Sequence, residues 1–212
     1  MLTVNDQLNY LIWLRDRGLS SLPPAQHLSP DHPKVLASNC HKCPISSQRI
    51  FPIWGQKSGN SCQVLFLSDY PPLDHNGQVL APEDHELLEK MQQAIGLSPN
   101  NSFCCNLILC PVSHDCINKE AYFNACAFFR EWQLKSINPP YLLLLGEKVV
   151  KTLYPEKAEP FFEKSVGTWL DHPLFPDSQV MPIYHPREMR QNSNLKRPTW
   201  IGLQKLAQHL QK

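Results

Sequence analysis

Four short, almost continuously apolar runs constrain this chain more than any other feature. They are Gln63–Leu67, Phe103–Leu109, Tyr141–Leu145 and Val180–Tyr184. Strands with one wet face alternate polar and apolar residues, whereas strands buried on both faces read as unbroken apolar stretches. Helical patterns lie between them. One covers 82–96, with Pro82 at its start, Leu87, Leu88 and Met91 as an apolar face and Gly96 at its end; others cover about 119–136 and 198–211. Strands of about five residues alternating with helices predict an α/β fold, a mainly parallel sheet of four strands covered on both faces. Ligands of such sheets bind beyond the carboxyl ends of the strands, here at Asp69, Cys110, Gly146 and His185.

The first part of the chain reads differently. Residues 4–18 carry Leu8, Leu11, Ile12 and Leu14 at helical spacing with Gly18 as a stop, and 20–39 is rich in Ser, Pro and His. The expected organisation is a helical appendage with its linker over 1–36 and one α/β domain over 37–212. With 42% hydrophobic and 18% charged residues the composition excludes a disordered, charge-rich chain. No apolar run reaches the ~18–20 residues needed to cross a bilayer, and no basic segment followed by an apolar stretch opens the chain. A cytoplasmic protein without membrane contact is therefore expected. Residues 187–212 hold six basic residues against Glu188 alone, a net +5, so the rest of a chain of formal charge +1 carries −4. A basic terminal segment of this kind suits phosphate contacts.

Eight cysteines with no export signal point to a metal centre or buried thiols instead of a disulfide framework. Cys40-His41-Lys42-Cys43 is a C-x-x-C pair, Cys110 sits at a strand end, and Cys126 follows sixteen residues later inside a predicted helix. Four thiolates so arranged suit tetrahedral zinc or an iron–sulfur cluster, and Cys116 is an alternative to Cys110 or Cys126. Cys62, Cys104 and Cys105 lie in or beside apolar strands and read as small hydrophobes.

The order of these features resembles the family 4 uracil-DNA glycosylases, the 4Fe-4S branch of the uracil-DNA glycosylase superfamily. The resemblance spans about 37–210: C-x-x-C, a strand leading to an acidic loop, Asn106-x-x-x-Cys110, Cys126, the Gly146 corner, and His185-Pro186 followed by Thr199-Trp200. It implies a three-layer sandwich around the central sheet and a 4Fe-4S cluster on Cys40, Cys43, Cys110 and Cys126. By position it implies Asp69 and Asp74 as carboxylates that orient water or oppose the sugar cation, and His185 as the donor to the leaving base. Asn106 falls where the family reads the base edge, with Tyr70 and Leu80 lining the pocket. Met189 falls on the wedge position, while Arg187, Arg190, Lys196 and Arg197 are the expected phosphate contacts.

The base-binding loop, Ser68-Asp69-Tyr70-Pro71-Pro72, departs from the family's glycine-rich pattern, and Leu80 replaces a stacking aromatic. The implied function is a DNA-repair glycosylase that binds DNA weakly and salt-sensitively, and hydrolyses the N-glycosidic bond of uracil or a related damaged base. The alternative is a non-catalytic iron–sulfur scaffold or subunit of a replication or repair assembly, docking a protein partner through its N-terminal helix.

Overall fold

The computed structural model describes residues 37, 38, 40–43, 45, 52–57, 62–73, 77–111 and 120–211. The expected N-terminal helix and most of its linker, Asp74 and Cys116 lie outside the described residues. The chain divides into two compact units, Met1–Asn39 and Cys40–Lys212. In the first, Ala37 and Ser38 alone are described, and both are helical.

The second unit is built on a sheet in which β2 to β5 lie on the four expected apolar runs. β1 (Gln56–Lys57) lies at one edge, followed in chain order by β2 (Val64–Ser68), β3 (Ser102–Asn106), β4 (Tyr141–Leu145) and β5 (Gln179–Ile183). The spatial order is β1-β3-β2-β4-β5, with β1 antiparallel to β3 and every other pairing parallel. Side chains alternate between the two faces of a strand, and here both faces are dry. Leu65, Leu67, Phe103, Cys105, Leu142, Leu144 and Val180 enter one apolar cluster. Their neighbours Val64, Phe66, Cys104, Leu143, Leu145, Met181 and Ile183 enter the other.

Helices close both faces and complete three layers. On the first face lie α2 (Glu120–Ala125), α3 (Ala127–Ile137), α4 (Glu147–Leu153) and α5 (Phe161–Ser165), which contribute Tyr122, Phe123, Leu134, Val149, Val150 and Phe162. The second face is covered by α1 (Pro82–Ala94) and α7 (Lys196–Leu210) through Leu88, Leu203 and Leu206. Between β5 and α7 runs the short α6 (Pro186–Gln191). Glycine sets how closely α7 approaches: a Cβ on Gly202 would lie 2.7 Å from the Gly167 Cα. Among the described residues no helix is long and apolar enough to cross a membrane.

Three local expectations are corrected. The strand expected over Phe103–Leu109 ends at Asn106; beyond it Leu107 and Ile108 turn their N–H groups onto the carbonyls of Ser68, the last residue of β2, and Asp69 just after it, at 2.8 and 3.1 Å. The helix expected over 119–136 is two helices that meet at Cys126. The last helix begins at Lys196, two residues early.

Candidate functional site

Parallel strands bring their carboxyl ends to one edge of the sheet, where the predicted positions Asn106, Gly146 and His185 arrive together with Ser68. Ser68, the last residue of β2, pairs in register with Asn106, the last of β3. Gly146 follows β4 directly and His185 follows β5 by two residues. Gly146 has φ +90, and a Cβ there would lie 3.2 Å from the His185 Cβ and 3.5 Å from the Glu188 carboxylate. Glycine is thus required both by its backbone and by the side chains it admits.

His185 is buried and is the N-cap of α6. Its Nδ1 accepts the Arg187 N–H at 3.0 Å, while Glu188 Oε2 accepts the His185 N–H at 2.9 Å, a reciprocal capping box. With Nδ1 an acceptor, the neutral ring carries its proton on Nε2, which lies 3.0 Å from Ser68 Oγ. Ser68 Oγ in turn donates to Asp69 Oδ1 at 3.3 Å. Burial lowers the imidazole pKa to about 4, with Asp69 and Asp84 raising it and Arg187 lowering it further. The ring is therefore neutral at physiological pH. The serine, histidine and aspartate do not form a nucleophilic triad: that chemistry needs an unprotonated Nε2 facing the hydroxyl, with the carboxylate on Nδ1. Here the polarity is reversed.

Asp69 is equally enclosed. Its Oδ1 accepts the Tyr70 N–H at 3.0 Å and its Oδ2 accepts Arg187 Nη2 at 3.0 Å. Arg187 also lies 5.4 Å from the centroid of the buried Tyr70 ring, and Lys148 Nζ lies 5.6 Å from it. Burial raises the Tyr70 phenol pKa first of all, and Asp69 adds to the shift. Asn106 contrasts with these saturated groups. Its Nδ2 donates to the Val79 carbonyl at 2.9 Å, but its buried Oδ1 has no hydrogen-bond partner among the described residues. A buried orphan acceptor costs free energy unless something else fills it.

Other predicted positions fall elsewhere than expected. Met189 is 2% exposed on the inner side of α6, so it is not presented as a wedge. Leu80 packs in the second apolar cluster. Arg190 pairs with Asp84 at 2.9 Å, across to α1. Lys196 and Arg197 are exposed, as is Trp200 one turn further along α7. Sequence reasoning missed Ser68, Lys148 and Glu188. Ser68 was marked only by being the first polar residue after an apolar run.

The predicted cluster cysteines gather on the first face of the sheet. Cys110 and Cys126 are buried in its apolar cluster, Cys43 packs against that cluster, and Cys40 is half-buried. No disulfide joins these four. Burial pushes the Cys126 thiol pKa up to about 12, and Cys110, Cys43 and Cys40 are all near enough to add to the shift. Among the described residues no three His, Cys, Asp or Glu side chains form a group that converges on a metal ion.

Two comparisons with known proteins bear on this arrangement. The uracil DNA glycosylase superfamily model matches residues 57–206. A protein described as type-4 uracil-DNA glycosylase, from Sulfurisphaera tokodaii, is 22% identical over 169 residues, covering 75% of this chain and 74% of its own length.

Proposed function

Because the chain belongs to the uracil-DNA glycosylase superfamily, in which its similarity to a type-4 enzyme supports a divergent member of that branch, we propose that it excises uracil or a related damaged base from DNA. The observation that carries this reading is the spare Oδ1 of Asn106 at the carboxyl edge of the sheet. A flipped base presents donor N–H groups along its pairing edge, and a buried, unpartnered acceptor is suited to one of them. His185 would serve as a neutral donor to the departing base, because its one ring proton is on Nε2 and burial keeps the imidazolium from forming. Ser68 Oγ holds that N–H until a base oxygen takes it.

Asp69 is less suited to act as a base. The Arg187 guanidinium offsets its charge, so its part in this reading is to fix the loop and oppose the developing sugar cation from a distance. Orienting water falls to Asp74 in the same reading. Lys196 and Arg197 are the cations left for phosphate, since Arg187 and Arg190 are engaged with Asp69 and Asp84. DNA binding resting on these cations would weaken as salt is added.

The 4Fe-4S cluster belongs to the same proposal. Four thiols drawn from three segments and near enough to act on one another fit such a group. Cys40, Cys43, Cys110 and Cys126 would hold the cluster, whose contribution would be to tie the C-x-x-C segment to the start of α3.

A second reading, a DNA-repair scaffold without catalysis, is favoured by the saturation of Asp69 and His185: ion pair and hydrogen bonds already occupy both. The N-terminal segment would then supply the docking element for a protein partner. The two readings separate on an oligonucleotide carrying a 2′-fluorinated deoxyuridine, whose glycosidic bond resists cleavage. Fluorescence anisotropy is expected to show a preference of about tenfold for this strand over the same strand carrying the N3-methylated base, which lacks the donor N–H, the effect of one hydrogen bond to a buried acceptor. Asn106→Leu is expected to abolish the preference. Equal affinity of the wild type for both strands would reject base reading and leave the scaffold.

A further inference from the structure

Arg130, one helical turn beyond Cys126 on α3, is the least expected charge in the molecule. It is 6% exposed, yet a guanidinium stays protonated wherever it is placed. Its backbone N–H bonds the Cys126 carbonyl at 3.1 Å and its Nη1 donates to the Phe123 carbonyl at 3.1 Å. Its Nε is buried with no partner, and no carboxylate lies within ion-pair distance among the described residues. A buried cation without a counter-ion is strongly unfavourable. The groups near enough to act on it are Glu131 on its own helix and the sulfurs of Cys126 and Cys105. Three residues along the same face, the Gln133 side-chain amide N is also buried and has no partner among the described residues, while its Oε1 accepts the Gly55 N–H at 3.0 Å. Both orphans are hydrogen-bond donors. A structural core has no use for two spare donors and a bare positive charge, but a buried anionic group does.

We propose that Arg130 is the countercharge of the four-cysteine centre, offsetting the negative charge that the thiolates bring when they hold an iron–sulfur cluster. The inference rests on the cluster reading above. A 4Fe-4S core held by four thiolates is anionic, and nearby charge and hydrogen bonds set both its retention and its potential. Adding an electron makes the group more negative, so a fixed cation favours the reduced form.

The test uses the full-length chain purified under nitrogen, with iron and sulfide measured first. Wild-type protein is expected to hold about four irons. Arg130→Gln is expected to lose iron to a ferrous chelator at least about tenfold faster and to show a lower reduction potential, while Arg130→Lys, which keeps the charge, stays close to wild type. An Arg130→Gln protein with full iron and an unmoved potential would overturn the proposal, since a merely structural role predicts that result. Loss of the cluster from the Lys and Gln variants alike would also overturn it. Wild-type protein without iron would instead remove the cluster reading on which the proposal stands.

Discussion

Replacing Arg187 by Met is expected to destabilise the fold by roughly 3 kcal/mol, the lower end of what removing one partner of a buried ion pair costs. The estimate is at the lower end because the two partners are unequally buried: the Asp69 side chain is 3% exposed and that of Arg187 28%. With the guanidinium gone, water reaches part of the gap but not the carboxylate, which keeps only the Ser68 hydroxyl and the Tyr70 N–H. The cation beside the Tyr70 ring is lost as well. Methionine preserves most of the packed length of the side chain, so the loss reports charge. Adding Asp69→Asn is expected to recover most of it, because the uncompensated anion is then gone. Urea unfolding of the four species measures the coupling directly. A coupling near zero would mean that the pair does not hold the loop.

The second large effect is on pH. His185 in the unfolded chain takes up a proton near its ordinary value of 6.5, whereas in the fold burial holds this off until about 4. Between those values the unfolded state binds more protons, so stability is complete above about pH 7 and falls as the pH drops toward 4. A separation of this size corresponds to roughly 3 kcal/mol. Asp69 and Asp84 oppose the shift and Arg187 reinforces it, but burial outweighs all three. Glu188, whose carboxyl pKa burial raises, binds its proton more readily in the fold than in the unfolded chain and so partly offsets this loss as the pH falls. Unfolding free energies at about pH 7 and about pH 4.5 should therefore differ by most of that amount. His185→Asn, which still caps α6, should flatten the difference. An unchanged pH slope in that variant would place the acid sensitivity elsewhere.

The parts of the fold visible in the sequence were those written as long, regular patterns. Strands buried on both faces announce themselves as apolar runs, and β2 to β5 lie on four of them. Parallel connection then puts the residues after each run at one edge, which is why Asp69, Gly146 and His185 are legible together in the sequence, whereas Cys110, expected at the same edge, lies four residues beyond a strand that ends at Asn106. Elements too short to display a period were not visible. β1 has two residues, and α4, α5 and α6 have seven, five and six. The resemblance puts Met189 on the wedge position, but in a helix of six residues no period shows which side is buried, and here Met189 faces the core. The arginines misled for another reason. Charge in a basic segment suggests phosphate, but Arg187 pairs with Asp69 at 118 residues' distance and Arg190 with Asp84 at 106. Only the folded chain brings those carboxylates within reach.

Release of free uracil from a labelled single-stranded oligonucleotide, by iron-replete full-length protein, tests the central claim most directly. The wild type is expected to release the base, and Asn106→Leu to do so at least about a hundredfold more slowly, as when a positioned hydrogen-bonding group is removed from a site that expels a charged leaving group. No release by wild-type protein with its iron in place would contradict the claim that this edge of the sheet excises a base.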